Sequence, residues 1–284
     1  MKSVVVTGAS TGIGWGAVKV LVKKGFRVFG SVRKPEDADR LTKEFGANFV
    51  PLFFDVTDQA AVNKAADQVS AALGGETLSG LVNNAGIAVA GPVLYLKIDE
   101  FRHQLDVNVL GQLVVTQAFA PLLGADTSRK GKPGRIVMIS SIGGKNANPF
   151  MGPYCASKFA LEGLSESLRR ELMLFGIDVV VIAPGAVATP IWDKAEQVDV
   201  TQYANTPYRD QLDRIRAYML ESGPKGLKPE TLGRAIHRAL TAKKPKTRYT
   251  VTPDRMQNLI VNTLPKRTVD RIIGGRLGLL PGNG

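Results

Sequence analysis

Apolar residues run along this chain in short, nearly unbroken blocks, separated by stretches where they recur every three or four positions. The blocks at residues 3–6, 27–32, 49–54, 81–82, 135–140 and 177–183 are rich in Val, Ile and Phe and too short for helices, so each is expected to be a strand. Near-continuous apolar character is what a parallel strand covered on both faces requires. Helical periodicity fills the gaps at Gly16–Lys24, at 58–74 and at 99–123, where Phe101, Leu105, Val109, Leu113 and Val114 share a face. A further helix is expected to begin near Pro153. Residues 124–134 have the polar, Gly- and Pro-containing composition of an exposed connector. Strand and helix in regular alternation predict an α/β fold, a single-domain doubly wound parallel sheet with helices on both faces.

Composition narrows the class. With 284 residues and 44% hydrophobic content, the chain can bury a substantial core as one α/β domain. No apolar stretch approaches the roughly 18 residues of a membrane span, and Met1-Lys2 leads straight into Val4-Val5-Val6 with no room for a signal peptide. A cytoplasmic protein is the expectation. One cysteine, Cys155, and two histidines, His103 and His237, argue against disulfides and against a metal site. The net charge of +12 is concentrated: residues 225–284 hold thirteen Lys and Arg against Glu230, Asp254 and Asp270, a net +10. Such a pattern commonly means a solvated helix or a subunit contact. Weak peripheral contact with an anionic membrane is the alternative, since Arg271-Ile-Ile-Gly-Gly-Arg276-Leu-Gly-Leu-Leu280 interleaves cations with apolar residues. No nucleic-acid motif accompanies the charge.

The first strand ends on Gly8-Ala-Ser10-Thr-Gly12-Ile13-Gly14, and a helix follows. Glycines allow a close backbone approach to a diphosphate, and a helix N-terminus offers it unpaired N–H groups and a positive dipole. The same residues fit a Gly-x-Ser-x-Gly nucleophile elbow, but no strands precede them and only two histidines exist to act as base. The second strand ends in Val32-Arg33, without the acid that takes ribose hydroxyls in many NAD sites. Arg33 is therefore expected to pair with a 2′-phosphate, with Ser10 as a second contact. Tyr154 and Lys158 lie four apart on one helix face. An ammonium near a phenol favours the phenolate and suits it to acid/base work near neutral pH. Ser141, just past the block at 135–140, offers a hydroxyl to a substrate oxygen.

Thr7-Gly8-x-x-x-Gly12-x-Gly14, Asn83-Asn84-Ala85-Gly86, Ser141 with Tyr154-x-x-x-Lys158, and Pro184-Gly185-x-x-x-Thr189 follow one another in an order that resembles the short-chain dehydrogenase/reductase family. The resemblance is close over residues 3–189. It implies a Rossmann-like fold, a catalytic set of Asn108, Ser141, Tyr154 and Lys158, and adenine recognition by Asp55 and Val56. It further implies cofactor contacts from Gly8, Ser10, Gly12, Ile13, Gly14, Arg33, Asn83, Ala85, Gly86, Tyr154, Lys158, Pro184 and Gly185, with Val187 and Thr189 at the nicotinamide carboxamide. Asn108 would hold a water that links Lys158 to solvent. By the same resemblance residues 1–189 form the cofactor-binding and catalytic core, 190–223 a substrate lid and 224–284 a basic extension completing the domain, and the enzyme forms homodimers or homotetramers.

Apolar residues in the lid, with Val89, Leu94, Ile142, Phe150, Met151, Trp192, Tyr208 and Met219 as candidate lining, predict a lipophilic pocket. Lid length and glycine loop look similar to steroid and retinol dehydrogenases. The expected activity is NADP(H)-dependent interconversion of a secondary alcohol and a ketone on a steroid- or retinoid-like substrate. The alternatives are an NAD(H)-dependent enzyme for a smaller substrate and a non-catalytic NADP(H) sensor.

Overall fold

Alternation within each strand decides which helices cover which face of the sheet. In the computed structural model, which describes residues 1–189, 201–223 and 225–281, seven strands form one sheet in the order β3-β2-β1-β4-β5-β6-β7, every pair parallel. They are β1 (Ser3–Val6), β2 (Arg27–Val32), β3 (Phe49–Phe53), β4 (Gly80–Asn83), β5 (Arg135–Ile139), β6 (Asp178–Pro184) and β7 (Arg248–Val251). Val5, Phe29, Leu52, Leu81, Ile136 and Met138 point into one core layer, under α3 (Gln59–Leu73), the helical segment 98–119 and α6 (Gly152–Glu171). Val4, Val6, Val28, Val82, Val137 and Ile139 point into the other, under α1 (Gly12–Lys23), α2 (Pro35–Phe45) and α8 (Pro229–Thr241). Successive residues thus serve opposite layers, and burial on both faces produces the continuous apolar blocks.

The chain runs from β1 outward to β3, then returns to β4 beside β1 and continues the other way. Between β1 and β4 the order reverses, and the carboxyl ends of strands flanking such a reversal leave a crevice for a ligand. Thr7, Asn84, Ser141 and Gly185–Thr189 all follow strands at this edge.

Two features were absent from the hydrophobic pattern. The stretch 99–123 is not one helix: α4 (Ile98–Leu105) passes through a π turn at Asp106–Leu110 into α5 (Gly111–Phe119). The C-terminal third contributes β7 to the sheet edge and packs α8 on α1. That helix crossing is tight, because a Cβ on Gly16 would lie 2.5 Å from the Pro229 carbonyl carbon and one on Gly233 would lie 2.3 Å from the Gly16 oxygen. Three helices follow or precede it: α7 (Arg209–Ser222), α9 (Arg255–Thr263) and α10 (Lys266–Leu277).

Candidate active site

The glycine loop is held by side chains from neighbouring strands. Gly8 and Gly12 adopt φ of 64° and 57°, which side-chain-bearing residues rarely take. A Cβ on Gly14 would stand 2.0 Å from the Gly8 oxygen, so only glycine lets α1 start this close to the loop. Gly8 N donates to Ser31 Oγ at 2.9 Å, and Asn84 Nδ2 donates to the oxygens of Thr7 and Gly8. Thr7 Oγ1 accepts from Asn84 N and Ala85 N, tying β1 to β4. Thr11 stands at the start of α1 without a side-chain cap, which leaves the helix N-terminus to a phosphate. Thr189 reaches the same loop, with its Cγ2 3.1 Å from where a Gly12 Cβ would be. Ser10 and Ile13 are partly exposed on it.

Arg33 is exposed beyond β2 and pairs with Asp55 at 3.2 Å. The expected adenine contact and the expected phosphate contact therefore hold each other at the ends of the neighbouring strands β2 and β3. Burial raises the Asp55 pKa, but hydrogen bonds from Thr57 and from Arg33 outweigh it and the carboxyl lies below its usual range. A second cation, unmarked in the sequence, approaches the loop: Arg40 of α2 donates to the Ser10 oxygen at 2.7 Å and to Asp37 at 2.9 Å. Val56 turns its side chain into the core against Gly111. Val187 likewise buries its side chain, while Pro184 ends β6 and Gly185 donates its N–H to the Val251 oxygen. Asn83 is fully buried and donates to Thr116 Oγ1 at 2.8 Å, so its side chain faces the sheet and helix packing rather than the crevice. Its neighbour Asn84, beside Ala85 and Gly86, does the work at the loop.

At the end of β5, Ser141 Oγ accepts from Gly143 N at 3.0 Å and hydrogen-bonds Tyr154. Lys158 is buried, with Nζ 5.7 Å from the centre of the Tyr154 ring and donating to the Ile139 oxygen at 2.8 Å. Here geometry changes the expected electrostatics. Burial raises the Tyr154 phenol above 10, the Ser141 hydrogen bond opposes this, and neighbouring Cys155 adds to the rise. Lys158 does not lower it, because burial pulls its own pKa down to about 8 and its ammonium is turned toward Ile139. Glu162, one turn further along α6, acts in the opposite sense on Lys158. Glu162 in turn takes both its oxygens to Arg248 Nε, at 3.0 and 3.1 Å, and Arg248 Nη2 reaches the Ser141 oxygen at 3.5 Å. Strand β7 is thereby linked to the serine and the lysine together.

Asn108 sits in the π turn, fully buried. Its Oδ1 accepts from Ile87 N at 2.9 Å, and its Nδ2 donates to the Ile87 oxygen and to Ser157 Oγ, both at 3.0 Å. These three bonds make the side chain a clamp between the loop after β4 and α6. One turn to either side, Gln104 donates to the Ile87 oxygen and accepts from Val89 N, and Gln112 donates to the Ala85 oxygen. Three buried amides at four-residue spacing thus fix residues 85–89. Ser157 Oγ, which donates to the Tyr154 oxygen at 2.7 Å, joins this ladder to the Tyr154 helix.

On the substrate side, Phe150 is buried with φ 63°, the one side-chain-bearing residue with positive φ among the described residues. A bulky residue takes that conformation only where surroundings enforce it. Its ring meets Tyr208 at 5.7 Å, Tyr208 meets Tyr95 at 6.1 Å, and Tyr203 and Leu212 complete the cluster. Val89, Ile142 and Met151 are partly buried nearby in sequence to these elements, whereas Leu94 is 79% exposed and encloses nothing by itself. Trp192 lies outside the described residues, as does the side chain of Met219.

This crevice, built from a doubly wound sheet, an uncapped glycine-loop helix and a Ser-Tyr-Lys cluster, is that of a nucleotide-dependent oxidoreductase. A profile of the short chain dehydrogenase family matches residues 2–199, and the chain belongs to that family. It is 40% identical over 273 residues to an NADPH-dependent 3-dehydrocapnine reductase of Ornithobacterium rhinotracheale, covering 96% of both chains. To the human retinol dehydrogenase 5 it is 33% identical over 288 residues, 95% of this chain and 87% of that protein. Among solved structures, a short-chain dehydrogenase from Streptomyces avermitilis superimposes with a TM-score of 0.74 at 28% identity, covering 98% of this chain and 97% of the other.

Proposed function

We propose that this chain is an NADP(H)-dependent oxidoreductase that interconverts a secondary alcohol and a ketone on a lipophilic, steroid- or retinoid-like substrate. It works in the cytoplasm as a homodimer or homotetramer. The observation that carries the reading is the convergence of Ser141, Tyr154 and Lys158 at the carboxyl end of β5, on the same edge of the sheet as the glycine loop after β1. When bound, the nicotinamide supplies or accepts the hydride. Ser141 orients the substrate oxygen. Tyr154, held as a neutral phenol by burial, donates its proton to the ketone oxygen as that oxygen gains negative charge. Lys158, whose ammonium is turned toward the Ile139 oxygen, would bind the nicotinamide ribose. Asn108, Gln104 and Gln112 hold residues 85–89 in place beside the crevice.

NADP(H) fits the residues present. Val32-Arg33 offers no carboxylate at the end of β2, Arg33 is an exposed guanidinium beyond that strand, and Arg40 brings a second guanidinium to the loop that carries Ser10. The relative from Ornithobacterium rhinotracheale is NADPH-dependent by name. A hydrogen bond to a charged group contributes about 1.5–3 kcal/mol. Arg33→Ala is therefore expected to lower the NADPH-over-NADH ratio of kcat/KM by roughly 10- to 150-fold. Stability should hold, because the lost ion pair with Asp55 is solvent-exposed. An unchanged ratio in the variant would assign phosphate recognition elsewhere.

A further inference from the structure

The elements around Phe150 and Tyr154 carry an outer surface that the chemistry above does not use. Helix α9 exposes Met256, Leu259 and Ile260, and α10 exposes Ile272 together with Lys266, Arg267, Arg271 and Arg276. Asp254 and Asp270 are the exposed acids on these elements. Among the described residues, none of those four cations forms an ion pair. Single exposed apolar residues are ordinary; a cluster mixed with an excess of unpaired positive charge is not.

This surface is tied to the substrate side by direct contacts. Lys266 Nζ donates to Asn146 Oδ1 at 3.0 Å, and Asn146 Nδ2 donates to Asn262 Oδ1 at 2.7 Å, so both helices are fastened to the loop that follows Ser141. Gln211 of α7 donates to the Gly278 oxygen at 3.1 Å, and Leu279 packs on the cluster of Phe150, Tyr203 and Leu212. Beyond Tyr208 and Tyr95, the rim continues in Val93, Leu94 and Ile98, each at least 60% exposed.

We infer that this edge is an interfacial surface for an anionic lipid bilayer: Met256, Leu259, Ile260 and Leu94 enter the headgroup boundary, and Lys266, Arg267, Arg271 and Arg276 lie against acidic headgroups. The part of the inference in which a lipophilic substrate passes from the bilayer to Tyr154 rests on the function proposed above; the surface itself does not. A second copy of the chain is the less fitting occupant, since a two-fold contact through this patch would bring like cations together.

Flotation of the full chain with vesicles tests this. The parent is expected to float with vesicles of phosphatidylglycerol and phosphatidylcholine at low salt, to stay behind with phosphatidylcholine alone, and to be released by high salt. Two variants, Met256→Glu with Leu259→Glu and Arg267→Glu with Arg271→Glu, should each bind the acidic vesicles at least about tenfold more weakly. Both should retain parental NADPH oxidation with a water-soluble ketone, which certifies their fold. A parent that stays in the soluble fraction at low salt overturns the inference. So do double variants that float as well as the parent, or a Met256→Glu, Leu259→Glu protein whose sole change is a smaller oligomer. A parent that floats yet reduces no ketone leaves the surface standing and removes the functional reading instead.

Discussion

Tyr154→Phe is expected to lower kcat by about 10²- to 10⁴-fold, the range that a positioned proton donor contributes, while NADPH affinity changes little. The substitution removes one oxygen from a ring that keeps its place at the start of α6. Ser141 loses a partner, but its hydroxyl still accepts from Gly143 N, so the loop geometry survives. The prediction separates a proton donor from a packing residue, because a packing residue would change stability or KM before kcat. Stopped-flow reduction of a saturating ketone, with NADPH binding followed by fluorescence, reads both quantities. Retention of the parental kcat would exclude Tyr154 as the donor.

Lys158→Met carries the second large effect, and its signs run in opposite directions for activity and stability. Burial moves the Lys158 pKa from 10.5 to about 8. That drop corresponds to roughly 3 kcal/mol of cost for holding the charge in the folded protein. The folded-state value lies below the unfolded one, so the cost is fully present below pH 8. It fades as pH rises from 8 toward 10.5, where the unfolded chain still binds the proton and the folded chain does not. Methionine fills a similar volume without the charge. The variant should therefore melt no lower than the parent at pH 7, with any advantage shrinking above pH 8, even though the Ile139 oxygen loses a donor. Activity should fall by roughly 10- to 150-fold, since the charge-assisted hydrogen bond that Lys158 would give the nicotinamide ribose is lost. In the parent, ketone reduction should decline above about pH 8 as Lys158 loses its charge. Tyr154, Glu162 and Cys155 are the other titrating groups around it, and Arg248 holds Glu162 in an ion pair. A melting temperature several degrees below the parent with kcat intact would make Lys158 a structural residue.

Local signals made the sheet and the loop legible. Six strands announced themselves as apolar blocks because both faces of each are covered, and the glycine spacing was readable because steric demands act within seven residues. Strand β7 carried no such signal: Arg248-Tyr-Thr-Val251 is an edge strand, half-buried throughout, with its arginine committed to Glu162. The π turn was hidden by an apolar periodicity that reads the same across 99–123. Contacts across long sequence separations were equally silent. Asn84 holds a loop 76 residues before it, Arg40 reaches Ser10 across 30, and the Gln104–Asn108–Gln112 ladder became meaningful only once residues 85–89 lay against it. The pairing of Arg33 with Asp55 joins two residues that the motifs had assigned to different parts of one ligand. The direction of the Tyr154 shift also needed coordinates, since four-residue spacing places Lys158 on the right face without saying where its ammonium points.

The central claim is that the Ser141, Tyr154 and Lys158 cluster completes hydride transfer rather than merely sensing a nucleotide. NADPH deuterated at its transferring carbon, incubated with the protein and a panel of steroids, retinoids and simple ketones, tests it in one measurement. Mass spectrometry should find one deuterium on the carbinol carbon of an alcohol product, formed in step with NADPH consumed. Tight NADPH binding with no labelled alcohol from any member of the panel would contradict the account.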